Sequence, residues 1–128
     1  WHIYQNWYII FMDFEIVYYK DNGKKPVEEF LADLKKINIV LWEKAVNGIN
    51  KLKNKVYHRE PLSKHIEPGL WELRIRVKTD ILRILYTFNK GKIIVLLHVF
   101  VKKQQKTLSK ELEMARKRLK EVKLREVN

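Results

Sequence analysis

The sequence predicts an α+β domain with the element order β-α-α-β-β-β-α, an antiparallel sheet with helices packed on one of its faces. Three observations predict it. Two apolar stretches in the first half keep helical spacing. Three strand-like runs, 70–77, 81–88 and 93–101, follow with only short polar turns between them, the pattern of consecutive hairpins. A last stretch then returns to helical spacing. Helices and strands that are segregated rather than alternating mark the α+β class.

Residues 13–20, DFEIVYYK, alternate and read as a strand. Asp21-Asn22-Gly23 is a turn. Pro26 suits a first helical position, and Glu28 and Glu29 favour the positive end of the helix. Val27, Phe30, Leu31 and Leu34 supply the apolar stripe of a helix over 26–37. A second helix is predicted over 39–56, with Leu41, Ala45, Ile49, Leu52 and Val56 on one stripe and Gly48 as a weak point. Two prolines and a glycine make 57–69 a loop. LWELRIRV (70–77) alternates, and Lys78-Thr79-Asp80 turns it into ILRILYTF (81–88). After Asn89-Lys90-Gly91-Lys92 comes IIVLLHVFV (93–101), a nearly unbroken apolar run expected of a central strand. Ser109 caps a last helix over 110–124, striped by Leu108, Leu112, Ala115, Leu119 and Val122. Trp42, Trp71 and Tyr86 read as core residues.

The 128 residues suit one domain, placed at 12–128. Residues 1–11 precede Met12 and read as an extension or tag remnant, or as an extra edge strand. They have neither a basic start nor a small-residue cleavage site, so they make a poor signal peptide. No stretch reaches the roughly 20 apolar residues that a membrane-spanning helix needs. With no cysteine, disulfides and thiolate metal sites are excluded, which is neutral to weakly favourable for a reducing cytosol. The histidines at 2, 58, 65 and 98 form no zinc pattern, and no cofactor is expected.

The net charge of +12 points to a polyanionic partner. The charge is uneven: Lys102 to Arg125 holds ten Lys/Arg against three Glu, a net of +7. Residues two apart along a strand share a face. Glu72, Arg74 and Arg76 therefore lie opposite Trp71, Leu73, Ile75 and Val77, and Arg83 lies opposite Leu82 and Ile84. His98, Phe100 and Lys102 share a face of the last strand, and Lys103 and Lys106 follow in the loop. If the registers agree, these residues form one basic, partly aromatic surface suited to single-stranded RNA. The chemistry it would support is attack of a ribose 2′-OH on the adjacent phosphate. Arg83 and Arg74 would hold the phosphate, Lys102 would stabilise developing charge, and His98 would act as acid or base. Arg76, Lys103, Lys106 and Phe100 would bind the RNA. Blander readings stand beside these: surface arginines that only solubilise, a solvated lysine loop, and a core histidine.

The segments DFEIVYYKDNGKKPVEEFLADL (13–34), GLWELRIRV (69–77), RILYTF (83–88) and LLHVFVKKQQKTLSKELEMARKR (96–118) carry a resemblance. In them the chain resembles the phage-derived HigB-like branch of the RelE/ParE toxin superfamily. The resemblance implies a RelE-like fold and the toxin of a type II toxin–antitoxin system. It implies a metal-independent endoribonuclease that cleaves mRNA on the ribosome, a cytoplasmic enzyme. The implied partner is a HigA-like helix-turn-helix antitoxin, in a hetero-oligomer. By position, Arg74, Arg83 and Lys102 match the basic residues such toxins use. The late catalytic tyrosine of RelE toxins has no counterpart, since 107–115 contains no tyrosine. Two alternatives remain: a non-catalytic RNA- or ribosome-binding module, and a gyrase inhibitor of the ParE kind.

Overall fold

A computed structural model of the chain describes residues 13–102 and 108–127. The expected extension at 1–11 lies outside the described residues. The first strand, β1, is Glu15–Tyr18. Helix α1 is Pro26–Ile37, with the proline in its first turn, two acids at its start and Lys35 and Lys36 at its end. Asn38 separates it from α2, Ile39–Lys51, and caps α2 by accepting the Leu41 N–H at 3.2 Å. This second helix stops short of its predicted end. A 3₁₀ turn at Lys55–Tyr57 takes over, and Val56, expected in the apolar stripe, is exposed. Gly48 lets α2 approach the sheet closely, and a Cβ there would force the end of the Ile75 side chain to shift.

The expected loop at 57–69 contains a strand, β2, Ser63–Glu67. It hydrogen-bonds to β3, Leu70–Val77, across the Pro68-Gly69 turn, where Gly69 has a φ of +78°. Ser63 is fully buried and its hydroxyl accepts the Tyr86 O–H at 2.9 Å, which fixes β2 against the sheet. Strands β4, Asp80–Asn89, and β5, Ile93–Lys102, complete a five-stranded sheet of order β1-β5-β4-β3-β2. The sheet is mixed: β1 lies parallel to β5, and every other pairing is antiparallel. The last helix, α3, is Leu108–Val127, so Ser109 lies inside its first turn rather than ahead of it.

Helices cover both faces, not one. On the first face, α1 and α2 bury Val27, Leu31, Leu34, Leu41, Ala45 and Ile49 against Leu73, Leu82, Ile84, Ile94 and Leu96. On the second, α3 lays Ala115, Val122, Leu112 and Leu119 over Leu70, Leu85, Val95 and Leu97. The apolar run of β5 explains the difference, since a strand that is apolar on both sides must be covered on both. Tyr86 is fully buried, while Trp42 and Trp71 pack at the core's edge. No described helix is long and apolar enough to cross a membrane.

Candidate functional site

The registers of β3, β4 and β5 place nine side chains in a three-by-three grid on the α3 face. Glu72, Leu85 and His98 form one row; Arg74, Arg83 and Phe100 the next; Arg76, Ile81 and Lys102 the last. Neighbouring strands lie about 4.8 Å apart, so each row brings its three side chains into mutual reach. The predicted Arg74, Arg76, Arg83, His98, Phe100 and Lys102 thus share one surface. Lys103 and Lys106 lie outside the described residues. A β-bulge at the Leu97–His98 step gives β5 one residue more than β4 there, and it turns both side chains toward α3. The helix contacts the Leu70–Leu97 end of this face, and its first turns reach His98.

The arginines are not free in the site. Oε1 of Glu72 accepts from Arg74 Nε and from Arg83 Nη1, each at 2.7 Å. The Glu72 and Arg83 side chains are only 3 % and 11 % accessible, so an isolated charge at either position would be costly. Arg74 is more open and also faces Glu60 at 3.7 Å. One carboxylate therefore orients two guanidiniums. The Nε of Arg83 is buried and finds no acceptor among the described residues. A buried donor without a partner is uncommon and marks a place where an acceptor is missing.

His98 is held by two groups that sequence reasoning did not connect to it. Its Nε2 meets Glu111 at 2.8 Å, and Arg118 Nη1 approaches Nδ1 at 3.3 Å while donating to the Leu97 carbonyl at 2.8 Å. An arginine can only donate, so Nδ1 accepts and Nε2–H donates to Glu111: the neutral tautomer. Phe100 stacks beside the imidazole, 5.8 Å between centroids. Burial pushes the His98 pKa down and the Arg118 charge adds to this, against the opposing pull of Glu111. Burial likewise lowers His58, which donates to the Leu52 carbonyl at 2.7 Å.

These shifts give a pH dependence. Above the unfolded pKa, about 6.5, both states are neutral and nothing changes. As pH falls through that value the unfolded chain takes up protons first, so stability is lost until the folded histidines protonate as well. Melting temperatures should fall as pH drops below about 6.5, and His98→Gln should flatten the slope. An unchanged slope in the variant would show that His98 titrates alike in both states.

No group of acidic and histidine side chains among the described residues could hold a metal ion.

The family described as "Phage derived protein Gp49-like" matches residues 29–120, well over half of the chain. The chain belongs to this family. No curated protein matches it. The Gp49-like match runs from α1 into α3 and includes all three strands of the grid together with Glu111 and Arg118.

Proposed function

We propose that this Gp49-like protein is the toxin of a type II toxin–antitoxin system. In this reading it is a metal-independent endoribonuclease that cuts mRNA on translating ribosomes, with a fold of the RelE type. The observation that carries the reading is the Arg74–Glu72–Arg83 arrangement on a basic grid that also holds Arg76 and Lys102. A phosphate fits this face because it neutralises a site holding two guanidiniums to one buried carboxylate. In the reaction the ribose 2′-oxygen bonds to the phosphorus, its proton passes to a base, and the bond to the 5′-oxygen breaks. That oxygen leaves with a proton, giving a 2′,3′-cyclic phosphate and a 5′-hydroxyl. Arg83 and Arg74 hold the phosphate, Lys102 offsets the developing charge, and His98 with Glu111 supplies the acid and base. Arg76, Phe100, Lys103 and Lys106 bind the flanking RNA. A helix-turn-helix antitoxin with an acidic surface would mask the +12 charge in a hetero-oligomer.

One observation favours a second reading, a ribosome- or RNA-binding module without catalysis: both nitrogens of His98 are already engaged by α3. A single assay separates the two. Translating ribosomes on a defined message should yield fragments ending in 2′,3′-cyclic phosphate. His98→Gln should slow cleavage by on the order of 100-fold or more while ribosome binding persists. Wild-type binding without any cleavage selects the second reading. In either case affinity should drop steeply as salt rises, because each neutralised phosphate releases counterions.

A further inference from the structure

Strand β2 pairs with β3 only as far as Ser63 opposite Leu73, and beyond it only the Arg74 N–H is met, by the Leu62 carbonyl at 2.9 Å. The rest of β3 borders a cleft of about 630 Å³ between the strand and the arch formed by residues 55–62. Its size lies within the roughly 300–1,000 Å³ of small-ligand sites. Lys51, Arg59, Arg74 and Arg76 line it against one acid, Glu60. Tyr57 lines it too, 38 % exposed, with the Lys51 ammonium 5.6 Å from its ring centre. Tyr57 and Val56 are thus apolar side chains left outside the core, inside a ring of cations.

The arch is well tied. Asn54 accepts the Val56 N–H through its side chain at 3.0 Å and the Tyr57 N–H through its carbonyl at 3.1 Å. His58 donates to the Leu52 carbonyl, and Ser63 N–H to the Arg59 carbonyl at 3.0 Å. The backbone that carries Tyr57 is therefore held in place, and its ring faces the cleft. Arg74 belongs both to the cleft and to the grid, so the two surfaces are continuous.

We propose that this cleft receives one unpaired nucleotide of the RNA strand that crosses the grid, its base on the Tyr57 ring and its flanking phosphates on Lys51, Arg59 and Arg76. A flat ring flanked by cations fits a base with its phosphates, because stacking is indifferent to base identity and the charge follows the backbone. The proposal rests on the reading of the grid as an RNA surface. It adds a subsite at the exposed side of β3, next to the reacting phosphate and sharing Arg74 with it.

The test is the affinity of a labelled single-stranded oligouridylate of about twelve nucleotides, long enough to reach from grid to cleft. Tyr57→Leu should weaken it about ten-fold, and Tyr57→Phe should stay within about two-fold of wild type. A duplex RNA of equal length, whose bases are unavailable, should bind all three proteins alike. Melting temperatures should not move, since Tyr57 is exposed. If wild type binds no RNA at all, the reading of the grid fails and the subsite with it. If wild type binds and Tyr57→Leu binds equally well, the subsite alone is overturned. A polyglutamate peptide with the same dependence on Tyr57 would assign the cleft to an acidic protein segment instead.

Discussion

Glu72→Ala should destabilise the fold by about 3–5 kcal/mol, the expected cost of leaving a buried guanidinium without its counter-charge. The Glu72 side chain is 3 % accessible, and its one oxygen takes hydrogen bonds from both Arg74 and Arg83. Its removal leaves two like charges side by side in the sheet, one of them nearly enclosed. For a domain of this size that corresponds to a melting temperature lower by on the order of 10 °C or more. Glu72→Gln should fall between, because the amide keeps an acceptor oxygen but loses the charge. The Arg116–Glu67 pair provides the contrast. It is bidentate, yet its arginine is half exposed, so Glu67→Gln should be close to silent. Thermal melts of the three variants side by side decide the matter. Equal shifts for Glu72→Ala and Glu67→Gln would mean that the sheet-face triad is as solvated as the surface pair.

The second large effect separates stability from activity. Replacing the whole triad with apolar residues, Glu72→Leu with Arg74→Met and Arg83→Met, removes the unpaired charge along with its partners. Such replacements of buried ion pairs are often neutral or stabilising. The triple variant should therefore melt near wild type, well above Glu72→Ala. If the grid cuts mRNA as proposed, cleavage on ribosomes should nevertheless fall by about 100-fold or more, since the groups proposed to hold the phosphate and its developing charge are gone. A folded triple variant with full cleavage would reduce these arginines to internal supports and move the reaction elsewhere.

Much of this was legible in the chain. Pro26, the paired glutamates after it and the spacing of Val27, Leu31 and Leu34 gave α1 its observed limits. Alternation in β3 and β4 placed Arg74 and Arg83 on one face, and the register sets them directly opposite each other. In β5 the same reasoning worked because His98, Phe100 and Lys102 all lie beyond the bulge. Leu96, two residues before His98, faces the other side of the sheet. Strand β2 escaped because Ser-Lys-His-Ile-Glu is polar and short, though Pro68-Gly69 before a strong strand was a hairpin signal. The partners of His98 were not legible, since Glu111 and Arg118 stand 13 and 20 residues away and reach it only because α3 crosses to the second face. The doubly apolar run of β5 carried that information, as it demanded cover on both sides.

The parallel pairing of β1 with β5 has a consequence for the protein's first minutes. Glu15 finds its partner at Ile93, so β1 waits for β5, the last of the described strands to be made. The two helices that follow β1 can pack on each other and on β3 and β4 earlier, but their core is closed only when Ile94, Leu96 and Val99 of β5 join it. The β3–β4–β5 meander closes short loops and can assemble early, whereas joining β1 to it closes a long one. During synthesis the first half of the chain thus leaves the ribosome ahead of its own core. The sheet is completed only once β5 has been made. If the grid cuts mRNA on ribosomes, order of synthesis keeps the nascent chain inactive toward the ribosome producing it until β5, which carries His98 and Lys102, has been made.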